Sequence, residues 1–456
     1  MHNNFTETKK GKGYPKSFWL MCVTIVWERF AYHGISTLLV LYFTAQVIQG
    51  GIGLSVKEAT ALYGTFVGIL HLTPLIGGWL ADSYLGQQKS VILGGTFVAL
   101  GDIILFYSPV KEVLYLGLVC IIIGNGFFKA SGSSLIGNIF SNEEPNKKEV
   151  AYSIFYMFIN LGSFLAPFTA GIVSDKIFAV RDATGTVLHF GYREMFLIAG
   201  LMACAGTVLF ILTAPKYLGE IGRKPFKKTS EQEKTNIFTY KFSKSEKKRI
   251  LAMGITAVFV ILFWTSFYQS FSSITLYARD HVNRNIGNFQ VPVPWFAALN
   301  SILGIVLAPV IAEIWKKFGS KGFTTPVKMT AGIFSMGTAF ALMTLSVIST
   351  GGTENGVKAG MIFIVLAYFF NTVSELCIAP IGIAMFNRLA PKRFSTFFMG
   401  MWYMTMFVAS FISGRVAGYT QNVGFLTIFA SLSTILFIMG FILFSIRKYL
   451  NKLMMS

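Results

Sequence analysis

The feature that most constrains this chain is its series of apolar runs, each near or above the 20 or so residues that a helix needs to cross a hydrocarbon core about 30 Å thick. Twelve can be counted. The first half holds Ser17–Val47, Val56–Ser83, Ser90–Tyr107, Val113–Phe140, Val150–Ser174 and Met195–Ala214. The second holds Ile250–Tyr277, Pro292–Trp315, Val327–Ile348, Val357–Leu389, Ser395–Tyr419 and Leu426–Ile446. In lipid the backbone must satisfy its own hydrogen bonds, so runs of this kind fold as membrane helices. Several exceed one bilayer thickness, which predicts tilted helices that project past it.

Composition agrees. Charged residues make up 13% of the 456 positions, against about 25% in soluble domains. The 45 Phe and 44 Gly suit lipid-facing surfaces and close helix crossings. A net charge of +19 would fit a nucleic-acid binder. Here, however, the charges sit between apolar runs, so lipid rather than nucleic acid is the expected surrounding. Cys22, Cys120, Cys204 and Cys377 all lie in apolar runs, without metal-ligand or disulfide spacing. The first run contains Glu28 and Arg29 and lacks a small-residue cleavage site, so it reads as a retained helix.

The only long polar stretch, Pro215–Arg249, carries eleven Lys or Arg against four Asp or Glu. The other basic segments are Lys9–Lys16, Lys316–Lys328, Lys392–Arg393 and Arg447–Lys452. With these helix counts between them, all fall on one side, which reads as cytoplasmic. The expected domains are a cytoplasmic tail (1–16), a six-helix bundle (17–214), a basic linker (215–249), a second six-helix bundle (250–446) and a cytoplasmic tail (447–456). The linker is too short and too charged for an extra helix pair.

Ionisable groups within a membrane helix are costly and mark function by default. Glu28, Arg29, Lys129 and Glu375 lie deep in the runs, with Asp102 nearer an end. Glu28 set between two bases favours its ionised form until a proton or substrate disturbs the group. A Lys129–Glu375 attraction could close a cavity between bundles. No nucleophile–base spacing or metal cluster suggests an enzyme.

Gly77–Gly86, with Gly78, Asp82 and Gly86, resembles the cytoplasmic-loop signature of the major facilitator superfamily. Tyr152–Phe164 on the fifth run is similar to the narrower signature of the proton-dependent oligopeptide transporter family. Trp27–Phe30, Gly126–Lys129, Pro215–Gly219, Trp295–Asn300 and Ser374–Gly382 agree with it. The resemblance implies two six-helix bundles that alternate access to a central site. It implies that Glu28, Arg29 and Lys129 couple protons and that Glu375 meets a peptide's amino terminus. Tyr32, Asn160, Trp264, Asn300 and Trp402 then match cavity positions that bond or flank the peptide. A di- or tripeptide substrate and a proton gradient follow, with no bound cofactor, in the cell inner membrane. Oligomeric state stays open.

The chain also departs from the family pattern. Ile25 stands where the family's Glu-x-x-Glu-Arg has its first Glu, Ser36 at the Arg that meets the substrate carboxylate, and Tyr268 at an acid of the seventh helix. The lost Arg and acid can pair across the bundles in relatives, and losing only one would strand a charge at a cost of about 3–5 kcal/mol. Both are replaced here by neutral hydrogen-bonding groups. Lys57 with Asp280 is a second candidate outer pair. His33 and His71 stand where Tyr is usual, and imidazole titrates near neutral pH. A same-fold carrier of a modified peptide, amino-acid derivative or small anion is the alternative, as is a transporter-like sensor that binds peptide without efficient coupling.

Overall fold

The computed structural model describes residues 13–455 except 109, 142–144, 184–185, 226–239, 241, 323 and 392–393. Its helices are α1 (Lys16–Thr44), α2 (Val56–Leu80), α3 (Gln87–Phe106), α4 (Lys111–Ile139), α5 (Pro145–Ile172), α6 (Tyr192–Tyr217), α7 (Lys244–Phe267), α8 (Ser273–His281), α9 (Pro294–Gly322), α10 (Thr325–Ile348), α11 (Ile362–Leu389), α12 (Ser395–Gly418) and α13 (Thr420–Met454). Among the described residues, eleven long helical segments are apolar enough to cross a membrane. α1 has the length, at 29 residues, but carries Glu28, Arg29 and His33 midway. The expected all-α, multi-pass membrane architecture is the one observed.

The helices run past the apolar limits wherever a capping signal lies further out. Ser243 and Glu246 close a reciprocal capping box that starts α7 at Lys244, inside the basic stretch. Ser55 and Glu58 do the same for α2. The segment 447–454, read as tail, continues α13, which kinks at Gly424 where φ is 77°. α11 starts later than the apolar run, because Ala359–Gly360 pairs as a short strand with Val282–Asn283. Part of the linker, 226–239 and 241, lies outside the described residues, and the expectation that no helix pair is inserted falls on it.

The seventh run, read as one helix, is broken. A 3-10 turn at Tyr268–Phe271 separates α7 from α8. Polar side chains satisfy the turn: Gln269 Nε2 donates to Ser413 O at 3.1 Å, and Tyr368 Oη donates to Ser270 O at 3.0 Å.

Within the first bundle, glycines let backbones touch. Gly94 meets Gly124, Gly101 meets Gly117 and Gly77 meets Gly126, so α2 and α3 both lie against α4. Two seams join the bundles, α2 against α12 and α5 against α9. On the side opposite the linker, a side chain on Gly64 would strike the Ser410 carbonyl, and Gly171 lies against Trp295. Arg279 also reaches across there, donating to Thr44 Oγ1 at 2.8 Å. That side is sealed. The described basic segments share the other face: Lys16 lies over Tyr217, and Arg249, Lys328, Arg388 and Asn451 line one hollow.

Candidate functional site

Between the bundles lies a cavity of about 270 Å³, lined by Arg29, Tyr32, His33, Ser36, His71, Lys129, Asn160, Trp264, Tyr268, Asn300 and Glu375. Tyr156 forms part of its wall and also of a cleft beside Trp315 and Arg388 on the linker side. The cavity is therefore approached from the linker face and closed on the other.

Each wall has its own charge. On the first bundle, Arg29 grips Glu28 with two hydrogen bonds of 2.5 Å and lies 5.2 Å from the centre of the Tyr32 ring. Glu28 is almost fully buried behind the wall and does not line the cavity itself. Lys129, one helix away on α4, has neither hydrogen bond nor ion pair among the described residues. On the second bundle, Glu375 accepts from Asn300 Nδ2 at 2.9 Å. Asn300 Oδ1 in turn accepts from Thr372 Oγ1 at 2.8 Å, which fixes the amide's orientation. Two cations thus face one carboxylate across the gap. A small molecule with an amine at one end and a carboxylate at the other complements these walls.

The Lys129–Glu375 attraction is not a formed pair here, because no ion pair of 4.0 Å or less joins them. Glu375 keeps its partner within its own bundle. Trp402 corrects a second expectation. It is 1% exposed, lies edge-on to Phe386 and fills the space beside Gly382, behind α11 rather than in the cavity. Its bulk closes a helix crossing. The proposed Lys57–Asp280 pair is replaced too: Asp280 is held by Arg279 at 2.7 Å.

His71 and Tyr268 meet across the bundles. Tyr268 Oη and His71 Nε2 are 2.7 Å apart and buried, and Trp264 stacks on Tyr268 with ring centres 5.6 Å apart. This hydrogen bond links α2 to the turn between α7 and α8. His33 lies edge-on to Tyr32. Asn160 Nδ2 donates to Tyr156 O at 3.0 Å.

The signature Gly78, Asp82 and Gly86 lies away from the cavity. α2 ends in a π-helical turn, Ala81–Leu85. Asp82 accepts from Gln87, Gly86 takes a φ of 81° and Gly78 makes room for Ala130 of α4. Gln88 then ties this corner to Gly219 O and Ile221 O beyond α6.

Tyr63 and Tyr156 line the cavity although sequence reasoning did not select them. Spacing offered a signal for both. Tyr156 precedes Asn160 by one turn of α5, and Tyr63 lies about two turns before His71 on α2, so each shares a face with a chosen residue.

The architecture has known counterparts. The model of the POT family matches residues 88–233 and 220–435. The chain is 29% identical to the peptide transporter YePEPT of Yersinia enterocolitica, over 91% of this chain and 90% of the relative. It is 28% identical to the uncharacterized transporter YclF of Bacillus subtilis, over 97% and 95%. It superposes with a TM-score of 0.87 on the crystal structure of a peptide transporter POT in complex with alafosfalin, with 26% identity over 98% of this chain and 97% of that one. With most of its length matched by the family model and its fold shared with a solved member, the chain belongs to the POT family.

Proposed function

We propose that the protein is a proton-coupled symporter that imports di- and tripeptides by alternating access of its two bundles. The observation that carries this reading is the opposed charge of the cavity walls: Arg29 and Lys129 on one side, and Glu375, oriented by Asn300, on the other. The substrate amine sits at Glu375. Its carboxylate sits toward Lys129 and the histidines, since Ser36 provides no cation. Glu28 is the proton site: a substrate carboxylate that draws Arg29 away leaves Glu28 free to take a proton. The transmembrane proton gradient is the energy source, and no cofactor is assigned. The membrane is the cell inner (plasma) membrane. By the excess of basic residues, the linker and both termini face the cytoplasm, and the conformation described is open inward.

A second reading is favoured by one observation, the His71–Tyr268 contact at 2.7 Å next to Ser36. A site with fewer fixed charges suits a modified peptide or amino-acid derivative, and the POT structure cited above holds alafosfalin. Uptake of labelled dialanine into proteoliposomes under an imposed proton gradient tests the first reading. No uptake, and no competition by other peptides, rejects it. A thermal-shift screen of purified protein against peptides, amino acids and anions then identifies the solute, because ligand stabilisation needs no coupled transport. Peptide binding without concentrative uptake identifies a sensor.

A further inference from the structure

One buried acid plays no part in the mechanism above. Asp102 on α3 is 0% exposed, and neither of its carboxyl oxygens has a hydrogen-bond partner among the described residues. It lines a void of about 10 Å³ together with Glu28, Tyr32, Ser36 and Asn125, enough room for about one water. Among the described residues, the elements around it bring no cation to the void. α1 presents Glu28 and Tyr32, α4 presents Asn125 and α2 presents Phe66, while α6 lies against it with Gly200.

An unpaired carboxylate in such a place costs several kcal/mol, so this packing accommodates the neutral acid. Glu28, on the same void, is in the opposite condition, gripped by Arg29 through two hydrogen bonds. Two carboxyls in one chamber, one hydrogen-bonded to a guanidinium and one without a partner among the described residues, form the arrangement that divides donor from acceptor. The chamber also communicates. Tyr32 and Ser36 line both the void and the central cavity, and their hydroxyls can pass a proton between the two.

We propose that Asp102 is a second proton-carrying carboxyl of the transport cycle, exchanging its proton with the central cavity through Tyr32, Ser36 and a water in the void beside Glu28. This rests on the proton-coupled reading above. The transfer is a simple one: a hydronium or hydroxyl proton moves onto a carboxylate oxygen, and the reverse step returns it to the cavity.

The test reconstitutes wild type, Asp102→Asn and Asp102→Glu in liposomes, recording labelled dialanine uptake and internal acidification together. Asn keeps the shape of the neutral acid and removes the exchangeable proton. The expected result is that protons moved per dialanine fall by roughly half in Asp102→Asn, with recovery in Asp102→Glu. A purely packing role shifts the melting temperature and leaves that ratio unchanged. An unchanged ratio and pH profile in Asp102→Asn, with coupling intact in wild type, overturns the proposal alone. Wild-type uptake without acidification overturns the coupling reading as well. Should Asp102→Asn fail to assemble, infrared pH titration of wild type against Asp102→Glu decides. A protonated-carboxyl band that changes frequency in the Glu variant supports the assignment, and identical spectra refute it.

Discussion

The His71–Tyr268 contact gives the most direct test of how the sealed face is held. Tyr268→Phe removes one oxygen and preserves the ring that stacks on Trp264. His71 Nε2 then loses its partner, and Nδ1 already has none among the described residues. A buried polar group left unsatisfied costs about 1–3 kcal/mol. The contact joins α2 to the turn between α7 and α8, so it exists only while the bundles meet on that face. The loss therefore falls on the closed-face state, and the ratio of closed to open shifts by roughly 5–150-fold. Double electron–electron resonance reads this with spin labels at Ile48 and Ile286, which are 79% and 61% exposed on outer segments of the two bundles. The expected outcome is a second, longer-distance population in Tyr268→Phe. An unchanged distance distribution with an unchanged melting temperature would falsify the latch.

Three further outcomes follow from the same geometry. Glu28→Gln abolishes concentrative peptide uptake and spares counterflow exchange, because the amide fills the same space but carries no transferable charge; full proton-driven uptake would remove Glu28 from the mechanism. Glu375→Ala deletes the acceptor that Asn300 holds in place and weakens peptide binding by about 1.5–3 kcal/mol, the range for hydrogen bonds to charged groups; calorimetric titration with dialanine measures it, and unchanged affinity refutes the amine site. Gly64→Ala places a methyl against the Ser410 carbonyl and the Gly414 backbone, so it lowers the melting temperature and lengthens the Ile48–Ile286 distance; a wild-type result in both would show that the seam yields.

Much of the fold was legible because membrane helices announce themselves by length and apolarity, and because polar groups in such runs are rare. Glu28, Arg29, Lys129 and Glu375 stood out for that reason, and the structure brings Arg29, Lys129 and Glu375 to one cavity with Glu28 just behind it. Pairing was not legible. His71 and Tyr268 are 197 positions apart, and nothing local marks one as the other's partner. The break in the seventh run has no proline or glycine to mark it in the sequence; side chains from α11 and α12 hold it. Trp402 was misplaced because an aromatic residue looks the same in sequence whether it lines a cavity or closes a helix crossing. Asp102 read as lying near the end of its run, and only packing shows that every neighbour leaves it without a counter-ion.

The break between α7 and α8 has a mechanical consequence. α8 is nine residues long, about 13 Å at 1.5 Å per residue. A tilt of about 20° at the elbow would carry its tip sideways by roughly 4–5 Å on that length. Such a swing is enough to draw Arg279 off Thr44, while α7 keeps its seat against α12. The outer door can thus swing on a short lever hinged at the Tyr268–Phe271 turn, with the wall that holds Glu375 standing still.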